Sequence, residues 1–90
     1  MDKIIAEKIL TAMVEREQSW DFTTKKYNIK TPWYHHAYNK LTTKEKESGF
    51  GKMFGTFGWN GWNDMMDICQ KLCGKTYKDI EKELAINGNH

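Results

Sequence analysis

Two cysteines, Cys69 and Cys73, and a single proline, Pro32, are all that this chain of 90 residues holds of either type. Two thiols with no spaced framework argue against a disulfide-stapled secreted fold. Arginine is scarcer still: Arg16 is the only one among 14 basic side chains. No apolar run approaches the ~18–20 residues that span a bilayer. The first residues, Met1 to Lys8, are charged and lack the apolar core of a secretory signal. There is no Asn-x-Ser/Thr acceptor and no lipidation signal. These absences point to a cytoplasmic protein that does not engage a membrane. One more absence is local. From Phe22 to Lys44 there are five lysines and two histidines but no carboxylate, although the net charge of the chain is only +2. A nucleic-acid partner would therefore be attracted by where the charge sits, not by its total.

What is present is a soluble, globular composition, 39 % hydrophobic and 29 % charged, sized for one small domain spanning residues 1–90. Four each of tryptophan, tyrosine and phenylalanine imply a core of a few large rings, or rings left outside for binding. The periodicity predicts a mainly α fold, a small bundle of four to five helices. Asp2 to about Gln18 places Ile5, Ile9, Leu10, Ala12, Met13 and Val14 on a stripe broad enough for two neighbours. Ser19 or Asp21 is positioned to cap a short helix over Phe22 to Tyr27, with Asn28 as its terminator. Thr31-Pro32 reads as an N-cap followed by proline in the first turn. Tyr34, Ala37, Tyr38 and Leu41 then form an inner face, which leaves Trp33, His35, His36, Asn39 and Lys40 outside. Thr42 to Glu45 is a capping box for a short helix over Lys44 to Ser48. Trp62, Met65, Met66, Cys69, Leu72 and Cys73 make a helical stripe that ends at Gly74. Thr76 to Asp79 caps a last helix through Leu84.

Residues 49–61 are compositionally odd, because glycines alternate there with Phe50, Phe54, Phe57 and Trp59. Each helical glycine costs ~1 kcal/mol relative to alanine. A loop with turns, or a short hairpin, is the expectation for this segment.

The stretch Lys25 to Leu41 resembles the helix-turn-helix motif of DNA-binding regulators. Ile29 follows the turn, and the inward residues Tyr34 and Tyr38 stand five and nine positions after it, with Ala37 beside them. The turn carries Asn28 where glycine is commonest, and both inner positions hold tyrosine where aliphatics are usual. What the resemblance implies is a small nucleic-acid-binding regulator that uses residues 22–41, with double-stranded DNA as its partner. His35, His36, Asn39 and Trp33 would face the groove, and Lys25, Lys26, Lys30 and Lys40 the phosphates. A homodimer is expected on that reading, since one short helix gives little affinity alone. The lysine-rich composition without a catalytic set is also that of small phage-like proteins. The shortage of arginine favours backbone attraction over sharp base reading.

A rival reading is a protein-interaction module, an inhibitor or adaptor that docks through Trp33, Trp59 and Trp62. The sequence gives no catalytic residues: Asp64 and Asp67 share a helix face but have no partner base. It gives no cofactor either, since residues 49–62 lack any phosphate-loop pattern. Cys69 and Cys73 share a helix face with methionine and leucine and read as buried thiols, not metal ligands. The adjacent His35 and His36 cannot both point to one side of a helix.

Overall fold

A computed structural model describes residues 1–57 and 61–87. The first helix, α1 (Asp2–Gln18), is followed by a two-stranded antiparallel hairpin, β1 (Trp20–Asp21) and β2 (Lys26–Tyr27). Five further helices follow among the described residues: α2 (Trp33–Asn39), α3 (Thr43–Lys46), α4 (Gly49–Phe57), α5 (Trp62–Cys73) and α6 (Tyr77–Asn87). The mainly helical architecture is thus the expected one, with one helix more than the upper expectation. None of the helices among the described residues is long and apolar enough to cross a membrane.

The organising element is α1. Ile5, Ala6, Ile9, Leu10, Ala12, Met13 and Val14 are all fully buried. So wide an apolar surface covers more than one face of a helix, and α1 packs against α2, α4, α5 and α6 at once. Met65, Cys69 and Cys73 close on it from α5, Ala37 from α2, Phe50 and Phe54 from α4, and Ile80 from α6. Polar links fix the outer elements. Lys75 bridges Glu7 of α1 at 3.0 Å and Glu83 of α6 at 2.9 Å. Lys8 reaches Glu45 of α3 at 2.8 Å.

Two local expectations fail, each for a visible reason. No helix forms over residues 22–27. The residues read as helix caps serve a hairpin instead. The Asp21 carboxylate accepts hydrogen bonds from the Thr23 and Thr24 amides at 2.8 and 3.3 Å, and its carbonyl accepts from the Lys25 amide at 2.7 Å. This is an Asx-type turn, the alternative use of the same side-chain oxygen that caps helices. Ser19 closes the base: its carbonyl accepts from the Asn28 amide and its hydroxyl from the Ile29 amide. Trp20 and Tyr27, directly opposite in register, meet edge-to-face at 4.9 Å. The chain turns through Lys25, at φ +59° in the left-handed region. The first helix of the helix-turn-helix pattern is therefore absent at these residues, and α2 packs directly on α1.

The second failure is the loop expected over residues 49–61, since Gly49–Phe57 is helical. Phe50 and Phe54, one turn apart, are only 5 % and 2 % exposed. Their burial contributes ~1.5–3 kcal/mol each, enough to offset several helical glycines. The glycines also permit close approach. A Cβ on Gly51 would collide with the Glu45 carbonyl of α3, and one on Gly55 would lie 2.8 Å from the Tyr38 ring. From α1, the Asp2 carboxylate caps α4 by accepting from the Phe50 amide at 3.1 Å. Trp59 lies outside the described residues.

The remaining helix signals appear as the sequence indicates. The Thr42/Glu45 capping box is complete. Thr76 and Asp79 exchange the corresponding bonds at 2.9 and 3.1 Å, although α6 runs past Leu84 to Asn87. Gly74 terminates α5 in the left-handed conformation. The start of α2 is displaced by one residue, with Pro32 itself in the N-cap position and no side-chain cap.

Candidate nucleic-acid interface

The hairpin and the end of α1 create a surface that the linear pattern does not reveal. Arg16, in the last turn of α1, donates from Nε to the Thr31 carbonyl at 2.7 Å. Its guanidinium carbon lies 3.9 Å from the centroid of the Tyr27 ring. A guanidinium has five N–H donors, and the backbone bond uses one of them. Arg16 thus bridges α1, the hairpin and the approach to α2, and keeps most of its donor capacity.

Beside it lies a shallow cleft of about 390 Å³, lined by Arg16, Trp20, Lys25, Lys26, Tyr27 and Lys30. Four cations and two aromatic rings form the lining, and no carboxylate belongs to it. Lys25, Lys26 and Lys30 are exposed and form no ion pair among the described residues. The two acids nearby are both engaged. Asp21 accepts the turn amides, and Glu17 accepts the Tyr27 hydroxyl at 2.9 Å. That bond to Glu17, with partial desolvation, raises the Tyr27 hydroxyl above the usual phenol range and keeps it a neutral donor. Trp20 stands between Tyr27 and Phe22, whose ring centroid is 6.5 Å away at an interplanar angle of 84°. Phe22 sits at the hairpin tip, 84 % exposed.

The residues expected to face a groove are divided among three environments. Lys25, Lys26 and Lys30 gather at the cleft. On α2, His35 and Asn39 are exposed. Trp33 and His36 are drawn inward, and Lys40 stays exposed at the edge of α1. Trp33 does not lie on an outer face: it is half-buried, packed edge-to-face on Trp62 at 5.2 Å and tilted on Phe54 at 6.2 Å. His36 Nε2 lies 3.4 Å from Glu15 of α1, and Lys40 lies 3.9 Å from the same carboxylate. They fall there because α2 crosses α1 directly, so its 36/40 edge meets the polar edge of α1. Trp62, the other described residue of the docking alternative, is likewise half-buried in the ring cluster.

Arg16, Trp20, Phe22 and Tyr27 are the site residues that sequence reasoning missed. Their signal was present. Aromatic residues bracket Asp21 as Trp20 and Phe22, and Tyr27 follows an Asp-Phe-Thr-Thr run rich in turn and strand formers. The helical reading of residues 22–27 concealed it.

Two other concave surfaces carry less chemistry. One, of about 510 Å³, runs along Ile4, Glu7, Lys8, Thr11, Glu15 and Lys40 with mixed charge. The other, of about 460 Å³, is walled by Tyr34, His35, Tyr38, Phe54 and Gly55. Among the described residues no group of three or more His, Cys, Asp or Glu side chains converges as a metal site. Burial pushes the Cys69 thiol up to about 12, with the nearby Cys73 adding to the effect, so it stays protonated and unreactive.

No protein-family model, no curated protein and no solved structure matches this chain.

Proposed function

We propose that this protein is a small nucleic-acid-binding regulator that grips the phosphate backbone through the hairpin cleft, not through an inserted recognition helix. The observation that carries this reading is the convergence of Arg16, Lys25, Lys26 and Lys30 on one aromatic-floored concavity with no carboxylate in its lining. Clustered, unpaired cations attract a polyanion by releasing its counterions. A guanidinium held by a ring and a carbonyl presents its remaining donors to phosphate with little further loss of freedom. A regulator acting in the cytoplasm fits the reading, which requires only binding and no chemistry of its own.

The role of α2 is reduced. It has seven residues, ~10 Å of helix at 1.5 Å per residue, and its His36 turns toward Glu15, as does Lys40 just past its end. His35 and Asn39 remain as peripheral contacts.

The test is a salt series of oligonucleotide binding by fluorescence anisotropy, for the protein and for the K25Q/K26Q/K30Q variant. The three substitutions should lower the slope of log K against log salt by about 2–3 units. Binding that is indifferent to salt, or absent at low salt, removes the reading. If cellular partners instead survive nuclease treatment and disappear on Trp33→Ala, the protein-docking function replaces it.

A further inference from the structure

We infer that the ligand of this cleft is an unpaired nucleotide strand, DNA or RNA, with Phe22 as the side chain on which a base stacks. The inference rests on the nucleic-acid reading above and adds to it the form of the ligand.

A single exposed apolar residue is ordinary on a protein surface. Phe22 differs from that background in three respects. First, its position is fixed. The tip carries three hydrogen bonds to Asp21, from the Thr23, Thr24 and Lys25 amides. A ring on so constrained a turn loses little freedom when it binds. Second, it continues a row of rings. Phe22, Trp20 and Tyr27 follow one another at centroid distances of 6.5 and 4.9 Å, and Arg16 lies over the last of them. The rings meet edge-on, so the open face is that of Phe22. An open ring face beside cations is what a flexible strand binds to, with a base on the ring and phosphates on lysines. Third, cations belong to the same hairpin: Lys25 and Lys26 come three and four residues after Phe22, in the turn and second strand, and line the cleft with Lys30.

A duplex would use this surface poorly. Its base faces are stacked inside, so the Phe22 ring would meet sugar and phosphate unless it prised a step apart. That unstacking costs a few kcal/mol per step. An unpaired strand offers its faces without this cost. An anionic membrane could also take one phenyl ring and three lysines, but it would leave the concave ring-lined cleft unfilled.

The test compares binding of oligothymidylate, oligouridylate and a mixed-sequence duplex of equal length, with phosphatidylserine vesicles as a fourth arm. The two single strands separate DNA from RNA as the source, and a preference for either supports the inference. The single strand should bind at least about tenfold more tightly than the duplex. Phe22→Ala should weaken single-strand binding by roughly tenfold to a hundredfold and leave the salt slope unchanged. Phe22→Trp should restore it and Phe22→Leu should not, since leucine keeps the apolar area but has no ring. With its side chain 84 % exposed, these variants fold as the parent does, and an unchanged melting temperature confirms it.

If the duplex binds equally well and Phe22→Ala has no effect, while K25Q/K26Q/K30Q still abolishes binding, the stacking inference falls and the backbone-binding function stands. Absence of binding to any oligonucleotide at low salt removes both. So does Phe22-dependent binding to vesicles alone.

Discussion

The guanidinium of Arg16 and the ring of Tyr27, 3.9 Å apart, join the last turn of α1 to the second strand of the hairpin. Trp20 meets the same Tyr27 ring at 4.9 Å, and Phe22 meets Trp20 at 6.5 Å. Arg16 also donates to the Thr31 carbonyl, so a single side chain orders both the hairpin and the segment that leads into α2.

Arg16→Gln should therefore loosen the hairpin without unfolding the helical core. Losing the cation–π contact and the charged hydrogen bond should cost about 1–2 kcal/mol. Amide hydrogen exchange at Asn28 and Ile29, which bond to Ser19, should accelerate, whereas the amides of α1 and α5 should keep their protection. Arg16→Lys should recover the charge but not the fork of donors, and so restore nucleotide binding only in part.

Lys25→Gly should separate stability from binding. A lysine in the left-handed region costs about 1 kcal/mol that glycine largely avoids, although glycine is also more flexible when unfolded. A net gain of half that size or more should raise the melting temperature by a few degrees, given about 4–8 °C per kcal/mol in a domain of this size. The same change should weaken oligonucleotide binding, since it removes a cation from the cleft. A variant that binds as well as the parent would show that Lys25 contributes nothing to the site.

Gly51→Ala should be strongly destabilising although it replaces the poorest ordinary helix former by the best. Propensity alone predicts a gain of ~1 kcal/mol. The new methyl would meet the Glu45 backbone carbonyl, which no rotamer change can relieve, so a loss of about 3 kcal/mol or more is expected. Chemical denaturation decides the sign, and a more stable variant would show that α4 does not approach α3 as closely as described.

Acid should weaken the α1–α3 link through one carboxyl. The hydrogen bond from Lys8, followed by the Thr42 amide, holds Glu45 below the usual carboxylate range against a desolvation effect in the other direction. A depressed folded value means that the unfolded chain takes up its proton first. The stability contributed is therefore complete above the ordinary value of 4.5 and is lost as pH falls through the lower, folded one. Glu45→Gln should flatten that part of the stability–pH curve and remove the salt link at neutral pH. An unchanged acid limb would mean that other carboxyls govern it.

How far the sequence reveals this molecule depends on where each signal is stored. Helices announced by paired caps, at Thr42/Glu45 and Thr76/Asp79, were legible because the capping bonds are local. So was α1, whose apolar stripe repeats over several turns. The hairpin was misread because Ser19 and Asp21 serve helix caps and turns with the same oxygen atoms, and the deciding partner, Tyr27 across from Trp20, is seven residues away. The α4 helix was missed because its glycines argue locally against it, whereas the burial of Phe50 and Phe54 that favours it is tertiary. The site itself was half legible. The lysines at 25, 26 and 30 stood out by the absence of carboxylates around them. Arg16 did not, because only the crossing of hairpin and helix brings it to them.

The dependence of four helices on α1 also has a temporal meaning. A ribosome delivers residues 1–18 before the other helices, yet α1 makes its most extensive packing with α5, which starts at Trp62. The part of the α1 surface that α5 covers must wait while more than forty intervening residues are made. At ~5–20 residues per second that is an exposure of seconds, long compared with helix formation. The nascent chain therefore carries α1 without its largest packing partner over that interval, and the α1–α5 packing forms only after residues 62–73 have been made. Slowing translation between residues 20 and 60 should lower the soluble yield more than slowing it after residue 75.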